Sequence, residues 1–505
     1  MSHTTSQAYS QLLSETREAA LLESCGAVLG WDEQTYLPVG GAEHRSNQLA
    51  LLAGLAHEKA TSPRVGELLQ QLEAARDVEP DSVMAANLRE IRRDYDRATR
   101  LPKRLVEELS KTTSLSQQAW VAARKQRDFP QFLPWLDKVT KLKREVAQAI
   151  GYGRGVPYDA LLEEYEPGMT AADVTTLFDA LTADLVPLIA KVNESGRVPR
   201  REILTRRYPI PAQQQFSIAA AEAIGFNFQQ GRLDVAHHPF CSGFGPGDCR
   251  LTTRYNEHHF PGAFFGTLHE AGHGMYEQGL DPALWGSPAG RACSLAIHES
   301  QSRMWENLVG RSRAFWKWLY PRSQETFPEA LGQTPLDEFS LAINDVQPSF
   351  IRVEADEATY NLHILLRFDM ERPLIAGDLA PADVPGMWNE LSQKYLGIQP
   401  AHDSDGCLQD IHWSAGLVGY FPTYSLGNMV ASQLFEAAHR DLGDLSSQFA
   451  RGEFQPLHQW LTTKVHREGR RYPALKLVER VTGEPLSHRP LIRHLQHKLG
   501  TLYGI

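Results

Sequence analysis

Five consecutive residues constrain this chain more than any other stretch: HEAGH, His269 to His273, within FFGTLHEAGHGMYEQGL. On a helix, positions i and i+4 share a face. His269 and His273 then present two imidazoles side by side, with Glu270 entering the same site from the next position. Two imidazoles at this spacing suit Zn²⁺, which takes nitrogen, oxygen and sulfur ligands in a tetrahedron. The adjacent carboxylate can act as general base on a water activated there.

The bulk properties narrow the class. At 505 residues, with 42% hydrophobic and 22% charged residues, the chain has ample material for a large soluble core. The net charge is −10 and the pI about 6. This argues against a general nucleic-acid binder, which carries a basic patch. The five cysteines (Cys25, Cys241, Cys249, Cys293 and Cys407) are scattered, and no CxxC occurs. They read as reduced thiols of a cytoplasmic protein. The first residues lack the basic and apolar regions of a secretory signal, and no run of 18 apolar residues occurs. No membrane partner is expected.

Helical periodicity dominates the first 200 residues. Helices are predicted at Tyr9 to Leu29, at about 42–61, and at Pro63 to Arg76. Ser82 to Arg97, rich in alternating charge, reads as a solvated helix. Leu105 to Arg127, Phe132 to Ile150 and Ala171 to Ser195 follow. Gly30 to Gly41 reads as a loop from its Gly and Pro content. Between 201 and 260 the texture shortens to ILTRRY, GRLDVA and DCRLTTRYN. Strands are expected at Arg232 to Ala236 and Arg250 to Tyr255, with a helix at Ala212 to Ile224 and a first strand candidate in ILTRRY. Such a sheet just before HEAGH offers an edge that can hold an extended peptide by main-chain hydrogen bonds. From 261 to 505 the chain returns to helix: Ser294 to Val309, Arg313 to Leu319, Leu336 to Ile343, Val353 to Phe368 and Pro381 to Leu396. A Gly-rich stretch at 405–427 precedes the C-terminal helices. The fold class is mainly α with a minor sheet, and no linker marks a domain boundary.

A hydrolytic zinc has three protein ligands and one open position. Glu299, in HESQSR on the helix after a Gly- and Pro-containing turn, is the best third ligand. His258 and His259 are rivals on the loop expected before the HEAGH helix. His298 reads as support or core rather than ligand. Arg303, one turn past Glu299, is placed to brace it.

Further motifs add a resemblance. HEAGH and HESQ are accompanied, in order, by HPF (His238 to Phe240), DCRLT (Asp248 to Thr252), IRVEAD (Ile351 to Asp356) and GCLQ (Gly406 to Gln409). Together with the opening LGWDEQTYLPVGG, they resemble the carboxypeptidase Taq family of metallocarboxypeptidases along essentially the whole chain. The resemblance implies a single peptidase domain over 1–505; the texture of the sequence divides it into a helical part (1–200), a small sheet (201–260) and a helical catalytic part (261–505). It implies a mainly helical, zincin- or neurolysin-like fold with a deep substrate groove. Zinc or cobalt would be bound by His269, His273 and Glu299, with Glu270 as base. It also implies a homodimer releasing single amino acids, with broad specificity, from peptides that carry a free C-terminal carboxylate. A zinc oligopeptidase or aminopeptidase is the alternative.

A free carboxylate calls for an Arg, whose donors form a fixed fork. Arg352 is the leading anchor. It is expected to open a helix that brings Asp356, Tyr360 and His363 onto its face. Arg250, beside Asp248, reads as a brace for the strand. The segment GCLQDIHWSAGLVGYFPTY supplies donors for a developing oxyanion, with Gln409, His412, Tyr420 and Tyr424 as candidates. His238 is placed to contact substrate or brace the site.

Overall fold

The computed structural model describes residues 3–75 and 77–505, and is mainly helical with one three-stranded sheet. It resolves into two compact units built from interleaved segments. The first comprises Met1–Ala98, Arg200–Ile343 and Ala431–Pro485. The second comprises Thr99–Pro199, Asn344–Val430 and Leu486–Ile505. No helix among the described residues is long and apolar enough to cross a membrane.

In the first unit, the chain opens with a 33-residue helix, His3–Thr35. It runs through Gly30 and Trp31, so the expected loop begins only after Thr35. Trp31 explains the extension. Its ring is buried, and the guanidiniums of Arg250 and Arg232 lie 4.4 and 5.3 Å from it. Tertiary stacking thus outweighs the weak helix propensity of the Gly-Trp pair. The helices Ala42–Ala60, Pro63–Glu73 and Val83–Arg100 follow. Arg76, the expected end of the third, lies outside the described residues. The charged helix is not solvated all round. Met84, Leu88 and Ile91 pack with Ala8, Leu12, Val65, Leu68 and Leu72 in one apolar cluster.

ILTRRY forms a 3-10 turn, Arg201–Thr205, rather than a strand. The hydroxyl of Tyr208 donates back to the Ile203 carbonyl at 2.7 Å and closes the segment on itself. The sheet holds β1 (Gly231–Val235), β2 (Cys241–Gly245) and β3 (Asp248–Thr253) in the order β1-β3-β2. β1 runs parallel to β3, with Arg232 opposite Arg250, and β2 runs antiparallel to it. β2 was not legible in the sequence, because CSGFG has two glycines and none of the branched residues that mark strands.

The HEAGH helix, Phe260–Gly279, packs on this sheet and over an aromatic cluster. Phe260 and Phe264 stack at 5.2 Å and are surrounded by Phe216, Phe327 and Trp316. Each fully buried Phe contributes roughly 1.5–3 kcal/mol. This apolar base fixes the helix, so its opposite face can carry charged groups.

The second unit holds the helices Lys103–Gln126, Phe129–Ile150, Ala171–Glu194 and Thr359–Ala376. The helix expected from Val353 instead begins at Thr359, and Arg352 sits in a separate 3-10 turn, Arg352–Glu354. Asp356 is the cause. Its carboxylate accepts from the Ala358 and Thr359 amides and the Thr359 hydroxyl, capping the later helix and competing with an earlier start.

Candidate metal centre and its surroundings

Gly272, between the two histidines, sets the distance between the HEAGH helix and the HESQ helix, Leu295–Arg303. A Cβ at Gly272 would lie 2.6 Å from the Gln301 carbonyl oxygen and from Ser302 Cα. Only glycine permits this backbone approach. Ser294 starts the second helix, its hydroxyl accepting from the Ile297 amide. Five residues on, Glu299 then faces the two imidazoles.

Among the described residues, one cluster of His, Cys, Asp and Glu could hold a metal ion: His269, His273 and Glu299, whose ligand atoms lie within 4.8 Å of one another. Glu299 Oε2 is 3.8 Å from His269 Nε2 and 3.5 Å from His273 Nε2. Every other polar atom of the three side chains is engaged elsewhere. Arg303 Nε donates to Glu299 Oε1 at 2.6 Å. His269 Nδ1 lies 2.9 Å from Glu306 Oε2, and His273 Nδ1 lies 2.6 Å from His298 Nδ1. Two imidazole Nε2 atoms and one carboxylate oxygen therefore converge. That donor set fits a divalent ion with three protein ligands.

Charge is balanced tightly here. Glu299 and Glu306 are both buried. Burial alone would raise their pKa values, but Arg303 with His269 and His273 holds Glu299 below the usual carboxylate range. Glu306 is lowered by His269, Arg303 and Arg311. Burial pushes His273 down to about 4. Burial also opposes charge on His269, but Glu299 and Glu306 outweigh it and its pKa rises. Glu270 is 6% exposed, and burial pushes it up to about 7. A carboxyl poised there can take and return a proton near neutrality.

Glu306 escaped the sequence reading. It belongs to a π-helical turn, Met304–Gly310, that continues the HESQ helix. Arg303 Nη1 and Arg311 Nη2 reach it at 3.4 and 3.3 Å. The signal available in the sequence was Glu299, Arg303 and Glu306 at i, i+4 and i+7; the structure adds the π-turn, a feature frequent at functional sites.

The sheet carries a second group of the expected residues. Arg250 forks onto Asp248 at 2.9 and 2.8 Å and stacks on Trp31. His238 lies exposed between β1 and β2, its ring 4.8 Å from that of His237.

The remaining residues cluster in the second unit. Arg352 does not pair with Asp356. Its Nε and Nη2 donate to Asp410 Oδ1 at 3.0 and 2.9 Å, and its Nη1 donates to the Tyr360 hydroxyl at 2.8 Å. Arg367, fully buried, donates to the other Asp410 oxygen at 2.7 Å. Two guanidiniums thus share one carboxylate. Gln409 accepts from the Arg352 amide at 2.8 Å and donates to the Phe350 carbonyl at 2.9 Å. His412 Nε2 lies 3.3 Å from the Tyr424 hydroxyl, and its ring is 5.3 Å from that of Tyr420. His363 lies buried on the Thr359–Ala376 helix.

A helix carrying the two imidazoles, a carboxylate on its neighbour that converges on them and a buried carboxyl beside them fit one class, a metallopeptidase. The chain matches the model of the carboxypeptidase Taq (M32) metallopeptidases over residues 11–499, and it belongs to that family of metallocarboxypeptidases. It is 48% identical to thermostable carboxypeptidase 1 of Thermus thermophilus, covering 98% of this chain and 99% of that one. It is 39% identical to carboxypeptidase 1 of Bacillus subtilis, covering 94% and 95%. Among solved structures, the M32 carboxypeptidase of Deinococcus radiodurans R1 superposes with a TM-score of 0.95 at 41% identity, covering 99% of this chain and all of that one. The family implies a metal cofactor and peptide substrates.

Proposed function

We propose that this protein is a zinc-dependent carboxypeptidase. It removes single amino acids from the C-termini of peptides with broad specificity, as a cytoplasmic protein by its scattered cysteines and as the homodimer that the family resemblance implies. The zincin-like fold and substrate groove belong to the same reading. Convergence of His269 Nε2, His273 Nε2 and one oxygen of Glu299 beside buried Glu270 is the observation that carries it. These three side chains would hold Zn²⁺, with Co²⁺ as a working substitute.

The ion, when bound, supplies Lewis-acid polarisation of the scissile carbonyl and a lowered pKa for the attacking water. Glu270 takes that water's proton during attack, holds it on its carboxyl, and delivers it to the departing amine. Arg352 draws the terminal carboxylate through charge rather than through a free fork. With Asp410 shared by Arg352 and Arg367, the three side chains retain one net positive charge. Orientation of the chain end follows from that attraction. Gln409 sets the backbone that carries Arg352, and His412 and Tyr420 are the proposed donors to the developing oxyanion. His238 and the sheet edge are the proposed contacts for the rest of the peptide.

The test is Glu270→Gln in zinc-loaded protein. Loss of kcat by about 10²–10⁴-fold with zinc content unchanged is expected for a lost general base. Undiminished kcat in the loaded variant would remove Glu270 from the mechanism.

A further inference from the structure

The two histidines of the centre are oriented by different devices. His269 Nδ1 meets a carboxylate directly, at Glu306. His273 Nδ1 instead meets another imidazole nitrogen, His298 Nδ1, at 2.6 Å. Two nitrogens at that separation attract only when one carries a proton and the other does not. His298 Nε2 lies 2.8 Å from Glu277 Oε1. A carboxylate only accepts, so the ring proton that meets it sits on His298 Nε2, and the singly protonated ring turns a bare Nδ1 to His273. That bare Nδ1 must accept from His273 Nδ1–H. The lone pair of His273 is then confined to Nε2, the atom that faces Glu299.

From these contacts we infer that Glu277 is a positioning residue for the metal, acting two side chains away through His298 to hold His273 in its metal-binding tautomer. The inference rests on the zinc reading above and deepens it.

The surroundings hold Glu277 to this task. It stands at i+4 from His273 and i+8 from His269, so all three share one face of the HEAGH helix. The sheet closes the other side: a Cβ at Gly243 on β2 would lie 2.5 Å from Glu277 Oε2. A strand glycine thereby leaves the space in which the carboxylate lies. The His298 ring is also flanked by Tyr276, at 5.2 Å between centroids, which restricts its rotation. Removing an outer partner of a metal-bound histidine typically weakens metal affinity 10–100-fold.

The experiment measures the apparent Zn²⁺ dissociation constant against a competing chelator, with no peptide present, for wild type, Glu277→Leu and Glu277→Gln. The visible spectrum of each Co²⁺-loaded form is recorded alongside. Glu277→Leu removes the acceptor and is expected to weaken zinc by about 10–100-fold and to alter the Co²⁺ bands. Glu277→Gln can still turn its carbonyl oxygen to His298 Nε2–H and is expected to restore both within a few-fold. Wild-type affinity and spectrum in Glu277→Leu overturn the inference, as does Glu277→Gln matching Glu277→Leu. If Glu277→Leu does not fold, Glu277→Ala decides in the same two directions. Because affinity is read without substrate, a wild-type protein that binds zinc but cleaves no peptide would refute the proposed function and leave this inference standing.

Discussion

Gly272 and Ser302 face each other so closely that a Cβ on the glycine would lie 2.6 Å from the serine Cα. Two helices of ordinary composition pack 8–10 Å apart, according to the side chains at the crossing. Here the crossing has no side chain on one partner, and Glu299 comes within reach of both imidazoles as a result. Gly272→Ala must push the helices apart, since the opposing atoms are backbone. The expected cost is about 1–3 kcal/mol of stability. Zinc affinity should fall roughly tenfold or more, because ligand sets tolerate only about 0.5 Å of displacement. Thermal unfolding and chelator competition measure the two effects. Wild-type zinc affinity in the folded variant would show that this contact does not set the ligand geometry.

Arg352 should act on binding rather than on chemistry. Arg352→Met leaves Asp410 with Arg367 alone and removes the cluster's net positive charge. KM for peptides with a free C-terminus is expected to rise about 5–10-fold, the loss of attraction to one net positive charge, on the order of 1 kcal/mol. Zinc content should be unchanged. Steady-state kinetics on one peptide series decides. An unchanged KM would move the carboxylate anchor to another residue.

Glu371 gives the second unit a pH-dependent stability. The residue is fully buried, and burial pushes its pKa up from 4.5 to about 7. Tyr158 Oη, Trp413 Nε1 and the Gly419 amide, all donating to it, oppose the rise. A carboxyl with a raised folded pKa contributes stability that is complete below 4.5 and is lost as pH climbs through 7. That interval corresponds to about 3 kcal/mol. Glu371→Gln does not titrate. The stability of wild type relative to this variant should therefore fall by about that amount between pH 4.5 and 8. Urea unfolding at a series of pH values is the measurement. A constant difference would mean that Glu371 keeps an ordinary pKa in the fold.

Local signals carried much of this molecule, and non-local ones did not. HEAGH and Glu299 were legible because helix geometry converts residue spacing into direction, and a Gly- and Pro-containing turn leads from one helix to the other. Arg303 was legible for the same reason, one turn from Glu299. Asp410 was not: it pairs with Arg352 across 58 positions of sequence, and no periodicity links them. Asp356 misled, because a residue at i+4 from an Arg suggests a helical pair, whereas its carboxylate had backbone amides within reach and ended the pattern. β2 was hidden by its glycines. One of them, Gly243, is explained only by the Glu277 side chain lying against it.

The proposed zinc and Glu270 would hydrolyse a peptide bond anywhere in a chain; trimming of chain ends depends on the substrate's terminal carboxylate. The most direct measurement is a time course of paired peptides, identical except for a free or amidated C-terminus, digested by zinc-loaded protein with the released products identified by mass. Sequential loss of single residues from the free peptide, with the amidated partner cleaved at least about fivefold more slowly, is expected from loss of the attraction to one net positive charge. Equal cleavage of both peptides, or release from the N-terminus, would contradict the carboxypeptidase account.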